Sequence, residues 1–464
     1  PQHNPRLNSL AREIQRGSVY DRNGVLLATS SWEELTKNAP ALQKLGVSID
    51  QCCTRTDGRY YPFGAETMHL LGDYRTGVNF HATNSSLIEH DSNGRLQGYA
   101  DIHDLAPLVR YRHQPFNPDI QALMRADRSV HASIDIRLQL RLDATLRRHL
   151  EASSKRGAAV VMDAQTGDVL ALASFPTPAA GSTPTPDELL DRARYGQYPP
   201  GSTFKLVTAM AALRRNPALE NRVYSCRRLP DGRVGTVIPG WKKLIRDDIE
   251  DHAHGSLNMS RAIAVSCNAY FAQLGVYDVG AQALYDTAGL LEVPAGRMPE
   301  LRKMLPFAAY GQGPVLVTPF KMARIAATIA NGGEMPQGRW VTGGGGRRSE
   351  PPRRILNASE ANYIAGAMRE VVTAGTGRHA MAGLDVSVGG KTGTAQTAEG
   401  EPHSWFAVLA PFDGGSGKRI SFAVGVEHGG YGAWAAAPMA REIVESARDL
   451  GLVPTMKTST EQAR

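Results

Sequence analysis

Ser202 and Lys205 stand three residues apart in the stretch Tyr198-Pro199-Pro200-Gly201-Ser202-Thr203-Phe204-Lys205. The prolines and glycine stop whatever precedes them. From Ser202 the pattern turns helical, with Phe204, Leu206, Val207, Met210, Ala211 and Leu213 forming a broad apolar face. A serine at that position lies at the positive end of the helix dipole, and Lys205 projects from the same side. A serine hydroxyl is a poor nucleophile until a base takes its proton. No histidine here has a clear motif partner, so an amine would have to serve, and Lys205 is in reach. Taken alone, the tetrad reads equally well as a capping serine beside a surface lysine, since chance supplies about one Ser-x-x-Lys in a chain this long.

Two distant stretches decide the matter: Ser266-Cys267-Asn268 and Lys391-Thr392-Gly393-Thr394. In this order the three motifs resemble those of β-lactamases and penicillin-binding proteins, and their spacing resembles the transpeptidases among them. The likeness extends to Gly311-Gln312-Gly313 with Thr318-Pro319, Gly375-Thr376-Gly377, His403-Ser404-Trp405-Phe406 and Ala436-Ala437-Pro438. It covers residues 131–449, and residues 16–28 are similar to the start of class B members. The chain therefore resembles a class B penicillin-binding protein, a monofunctional peptidoglycan D,D-transpeptidase.

The resemblance implies roles for each motif residue. Ser202 would attack the penultimate D-Ala carbonyl of a stem peptide, and an amine on a neighbouring stem would take the acyl group. Lys205 would be the base, kept neutral by burial and by the nearby cation Lys391. Ser266 would relay the proton to the leaving amine, and Asn268 would hold Lys205 and the substrate amide. Lys391 with the Thr392 and Thr394 hydroxyls would bind the terminal carboxylate. Gly393, lacking a side chain, would let the substrate backbone lie against the strand. The backbone N–H groups of Ser202 and Thr394 would form the oxyanion hole. β-Lactams, as mimics of the D-Ala-D-Ala end, would acylate the same serine. The implied partner is a membrane glycosyltransferase, and the implied location is extracytoplasmic. The chain begins with proline, so an N-terminal anchor is expected to precede it.

Three alternatives compete with this reading. A hydrolytic enzyme (a β-lactamase or D,D-carboxypeptidase) would pass the acyl group to water. Class A β-lactamases use a glutamate in Glu-x-x-Leu-Asn for that water; the nearest match here, Arg353-Arg354-Ile355-Leu356-Asn357, puts arginine in its place. A β-lactam sensor or inactive scaffold is the second alternative, although no motif residue is lost. The third concerns assignment: Ser256-Leu257-Asn258 is another Ser-x-Asn, with Ser256 expected to cap a helix.

These motifs must be positioned by a larger framework. A chain of 464 residues, 42% hydrophobic and 21% charged, fits two or three globular domains. The net charge of +7 comes from scattered basic residues without interleaved aromatics, which excludes a nucleic-acid face and leaves mild attraction to anionic surfaces. No apolar run reaches the roughly 18 residues of a membrane span. Leu138, Leu142, Leu146 and Leu150 predict an amphipathic helix capped by Asp135. Residues 158–162 and 169–173 predict a buried hairpin, and the apolar runs near 386–394, 405–410 and 420–426 predict further antiparallel strands. The fold class is α+β, an antiparallel sheet flanked by helices, behind a small, irregular, β-rich N-terminal module. Residues 1–130 form that module, 131–449 the transpeptidase domain and 450–464 a polar tail. The acidic run Asp247, Asp248, Glu250 and Asp251 is expected to face solvent, with no metal site. Cys52, Cys53, Cys226 and Cys267 show no metal spacing; the neighbours Cys52 and Cys53 are not expected to bridge each other, and a Cys226–Cys267 bridge is open in an oxidising compartment. No cofactor is expected.

Overall fold

The computed structural model describes residues 14–72, 87–99, 101–114, 116–179, 182, 184–230, 232–241, 243–247, 252–342, 351–413 and 417–455. The chain divides into two compact units. The first takes Pro1–Leu140, Thr177–Leu189 and Arg339–Ser349; the second takes Arg141–Pro176, Leu190–Gly338 and Glu350–Arg464. The first unit runs past residue 130 to Leu140, and two later segments return to it. One of them, through Val341–Thr342, adds a strand beside Val130–Ala132.

The first unit corrects the expectation of a β-rich module. Its sheet is small, in the order Val341–Thr342, Val130–Ala132, Val19–Tyr20, Leu26–Ala28. Between residues 31 and 126 the described chain is a series of short helices, the longest being Trp32–Gln43. Local capping makes them. Ser31 accepts from Glu34 N–H, Asp101 and Asp104 form a capping box, and Asn117 accepts from Asp119 N–H ahead of Pro118. Apart from that twelve-residue helix, elements of four to eight residues are too short to show a hydrophobic period. A buried ion pair, Arg59 on Glu89 at 2.7 Å, ties this unit together, and Arg16 joins it at the same distance.

The second unit is built on a five-stranded, wholly antiparallel sheet. Its strands are β1 (Arg156–Asp163), β2 (Val169–Phe175), β3 (Gly389–Ala395), β4 (His403–Ala410) and β5 (Ile420–Glu427), in the spatial order β3-β4-β5-β1-β2. The predicted hairpin is β1–β2, its turn set by Asp163 Oδ1, which accepts from the N–H groups of Gln165 and Thr166. The strands are buried nearly throughout, which is why they read as continuous apolar runs. The helix predicted from the leucine period is Ile136–Glu151, with all four leucines about 1% exposed and Arg137 N–H capped by Asp135.

Six helices of this unit bear on the site: α1 (Lys205–Arg215), α2 (Met259–Ala264), α3 (Asn268–Gln273), α4 (Pro319–Ala330), α5 (Ala358–Thr373) and α6 (Ala436–Asp449). α4 packs on β1 and β5, α5 on β3, and α6 on β4 and β5. Thr318 caps α4 with Pro319 at its first position, and Asn357 with Glu360 forms a capping box on α5. Arg353–Arg354, the stretch tested against the Glu-x-x-Leu-Asn motif, pairs with Glu334–Met335 in a two-stranded ribbon.

Candidate active site

Ser202 lies in a short 3-10 turn, Gly201–Phe204, that runs directly into α1. Three contacts fix this turn. Trp405 Nε1 donates to Pro199 O at 3.0 Å, Tyr198 pairs with Val317, and Gly201 N–H donates to Gly311 O at 3.0 Å. Gly201 has φ +53°, and a Cβ there would meet Thr394 O at 2.4 Å. Only glycine lets the turn approach β3 so closely. The edge strand and the serine turn are thereby brought together.

The three motifs converge on one hydroxyl. Ser266 Oγ accepts from Lys205 Nζ at 3.1 Å and from Lys391 Nζ at 2.9 Å. Lys205 Nζ also donates to Ser266 O. Both lysines are fully buried. Burial, then the Lys205 charge beside it, holds the Lys391 amine well below its usual basicity. Ser266 itself has φ +60°, an uncommon conformation for a residue with a Cβ. It lies between α2 and α3, where Cys267 N–H bonds back to Ala262 O and ends α2.

Along β3 the remaining predicted residues follow in register. Thr392 shares a 2.6 Å hydrogen bond with Thr376, whose N–H reaches Ala264 O. The Gly375-Thr376-Gly377 stretch thus braces both β3 and the end of α2. Gly393 is crowded: a Cβ would lie 2.8 Å from Thr203 Cγ2 and 3.0 Å from Pro200 O. Thr394 Oγ1 accepts from Gly432 N–H at 3.3 Å, a contact that sequence reasoning missed. Ser202 and Thr394 are half-buried, so the turn and the strand edge stay open to a ligand.

The competing Ser-x-Asn lies apart from both lysines' hydroxyl partner. Ser256 lies exposed in the strand Gly255–Leu257, bonded to Ser225 at 3.3 Å, while Asn258 caps α2 by accepting from Arg261 N–H. The expected cap was therefore displaced by two residues. Ser256→Ala should leave penicillin acylation within about twofold of wild type, because an exposed serine contributes little. Ser266→Ala should slow it by on the order of 10²–10³, the range for a lost transition-state hydrogen-bonding group. Stopped-flow acylation of the two variants measures both.

Asn268 is held by its surroundings: its amide donates to Arg246 O at 3.0 Å and its N–H to Asp247 Oδ1. Asp247 corrects the expectation of a solvated acidic run, since its side chain is only 2% exposed; Asp248, Glu250 and Asp251 lie outside the described residues. Asp247 Oδ2 accepts from Cys226 and Cys267 at 2.8 and 2.9 Å and lies 3.2 Å from His254 Nδ1. Burial works against its ionisation, but the bonds from His254, Cys226 and Cys267 outweigh it and hold the carboxyl well below the usual range. The Asp247 partner raises His254 to about 9. Contact with Cys267 lowers Cys226 to about 6, while burial pushes Cys267 up. All four cysteines are free. The donor atoms of Cys226, Asp247, His254 and Cys267 lie within 4.8 Å of one another, a set able to hold a metal ion and one invisible as sequence spacing.

A family model, the penicillin-binding protein transpeptidase domain, matches residues 157–445. The chain belongs to the penicillin-binding protein transpeptidase family. Peptidoglycan D,D-transpeptidase MrdA of Haemophilus influenzae is 27% identical over 69% of this chain, which spans 56% of that relative's length. PbpA of Mycobacterium tuberculosis, likewise named a peptidoglycan D,D-transpeptidase, is 28% identical over 63% of this chain and 67% of its own. The solved imipenem acyl-enzyme of penicillin-binding protein A from M. tuberculosis superposes with a TM-score of 0.70, at 25% identity, over 94% of this chain and 99% of that one. Residues 157–445 are thus a transpeptidase domain of the penicillin-binding protein family.

Proposed function

We propose that the protein cross-links peptidoglycan stem peptides through an acyl-enzyme on Ser202. Its single strongest support is the placement of Ser266 Oγ between two buried amines, 3.1 Å from Lys205 Nζ and 2.9 Å from Lys391 Nζ. In this reading Lys205 takes the Ser202 proton as Oγ attacks the penultimate D-Ala carbonyl. The N–H groups of Ser202 and Thr394 receive the developing oxyanion. The proton returns through Ser266 to the nitrogen of the terminal D-Ala, which leaves as the C–N bond breaks. An amine of a second stem then attacks the ester and frees Ser202.

Substrate placement follows from the sheet. Among the described residues β3 is an edge strand, paired only with β4, and Lys391, Thr392 and Thr394 are the residues along it that would bind the donor's carboxylate. A stem peptide would add to that edge as an extra strand. The proposed setting is extracytoplasmic, beside a membrane glycosyltransferase that supplies the polymer, with the first unit as the partner-contacting module.

Hydrolysis is the reading to separate from this one. The Arg353–Arg354 ribbon and the capping role of Asn357 leave the Glu-x-x-Leu-Asn stretch without its acid. Intact-protein mass spectrometry after a pulse of benzylpenicillin should find a penicilloyl adduct that persists for many minutes. Rapid loss of the adduct with turnover of the antibiotic would assign the protein to the hydrolases instead.

A further inference from the structure

The acylation mechanism gives no part to His403, the first residue of β4 and of the His403-Ser404-Trp405-Phe406 stretch. Its Nδ1 accepts from His428 N–H at 3.1 Å. A ring nitrogen that accepts from a backbone N–H carries a lone pair, so the neutral imidazole holds its proton on Nε2. Around this bond the start of β4 grips the chain that leaves β5. Gly430 N–H donates to Pro402 O at 2.9 Å, and His428 Nδ1–H donates to Glu401 O at 2.9 Å. Ser404 Oγ donates to Tyr431 O at 3.2 Å and accepts from Ala436 N–H at 3.1 Å. His428 has φ +50°, a left-handed conformation that costs energy in a residue with a Cβ. Its bonds to His403 and Glu401 hold the turn against that cost.

The gripped segment ends on the substrate strand. Gly432 N–H is the group that donates to Thr394 Oγ1 at 3.3 Å. A Cβ at Gly432 would lie 2.4 Å from Gly393 O and 2.7 Å from Trp405 O, so the segment is laid directly on β3 and β4. A threonine hydroxyl has one proton to give. With Gly432 N–H occupying a lone pair of Oγ1, that proton is left to point at a ligand.

We propose that His403 is a positioning residue for acylation: its unprotonated Nδ1 anchors residues 428–432, which turn the Thr394 hydroxyl toward the donor carboxylate. A proton on Nδ1 meets His428 N–H head-on, breaks the anchor and frees Gly432 from Thr394. The effect on ligand binding rests on the proposed carboxylate role of Thr394; the anchor itself does not. The groups around the imidazole are the His428 ring at 4.9 Å, the Tyr198 ring at 5.4 Å and the Glu427 carboxylate. Glu427 is already engaged, by Tyr198 Oη–H at 2.6 Å and Arg192 Nε–H at 2.8 Å, and Lys155 Nζ donates to His428 O. Burial, then the His428 charge, holds His403 below the usual imidazole range against the opposing pull of Glu427. Release therefore begins only as pH falls below about 6.5.

Stopped-flow acylation by benzylpenicillin separates the dissociation constant of the first complex from the acylation rate constant. His403→Ala should raise the dissociation constant about tenfold, the cost of a lost hydrogen bond to a charged group. The rate constant should stay within about twofold, because Ser202 and Lys205 are untouched. In the wild type the dissociation constant should rise as pH falls from about 7 to about 5; titration of Lys205 would appear in the rate constant instead. His403→Asn places an amide oxygen near the position of Nδ1, an acceptor that takes no proton. It should recover most of the affinity lost in His403→Ala and abolish the acid-side rise. Amide exchange across residues 428–432, corrected for its intrinsic pH dependence, should increase in His403→Ala and in acidified wild type but not in acidified His403→Asn. That readout is independent of acylation. An unchanged dissociation constant with unchanged exchange in His403→Ala overturns the proposal, and so does an acid-side rise that persists in His403→Asn. Should His403→Ala not fold, the wild-type and His403→Asn pH profiles decide. If Thr394→Val weakens binding and His403→Ala does not, the anchor fails and the Thr394 role stands. If Thr394→Val leaves binding unchanged while exchange behaves as expected, the Thr394 role fails and the anchor stands.

Discussion

Ser202→Ala is expected to abolish covalent labelling by fluorescent penicillin, a loss on the order of 10⁴–10⁶ in acylation rate. The hydroxyl is the only atom removed, and it is the one that would form the ester. Ser202 is half-buried at the mouth of its turn, and the contacts that hold the turn are made by Tyr198, Pro199 and Gly201. The melting temperature should therefore stay within a few degrees of wild type. Lys205→Ala should lose nearly as much, and the double variant little more than either, because nucleophile and base act as a unit. Lys205 differs in one respect: it is buried against Ser266, so its removal also leaves a void that thermal melting should register. A label retained by Ser202→Ala would remove the proposed nucleophile and with it the mechanism.

Asp247→Ala should be the most destabilising single substitution near the site. This one carboxylate receives the N–H groups of Asn268 and Ala269, both thiols and His254. Deleting it leaves a half-buried imidazole and two backbone donors without their acceptor. Breaking a buried charged network costs about 3–5 kcal/mol, a fall of about 10 °C in melting temperature. Asp247→Asn separates charge from hydrogen bonding. Its oxygen can still accept from Asn268 and Ala269, but its NH₂ faces His254 and the thiols without the negative charge. Urea denaturation of both variants should place Asn between wild type and Ala. Equal stability of all three would mean that the network does not hold the segment that bears Ser266.

The active-site triplets were legible because each is a short, contiguous pattern whose chemistry depends on local geometry: a serine and lysine one turn apart, an edge strand bearing a lysine and two hydroxyls. The sheet was legible for a related reason. β1, β2, β4 and β5 are buried on both faces, so they stand out as apolar runs. What the sequence concealed depends on distant partners. Asp247 reads as one acid among four, and nothing local says that Cys226, His254 and Cys267 will surround it. The helices of the first unit escaped because they are held by caps at Ser31, Asp101 and Asn117 rather than by a periodic apolar face. The cap of α2 was read two residues early, at Ser256 instead of Asn258, because either residue type can fill that role.

The strand order has a consequence for how the molecule is made. β1 and β2 are synthesised early, but the neighbour of β1 is β5, which ends at Glu427. The strand that faces the Ser202 turn, β3, comes nearly two hundred residues after that turn. Such distant pairings fold slowly, because the chain between them must be ordered before the contact is gained. A ribosome that stops anywhere short of Glu427 therefore releases a chain with the serine motif in place and no sheet to present it. Late nonsense alleles should behave as complete nulls, and no proteolytic fragment containing Ser202 alone should bind penicillin.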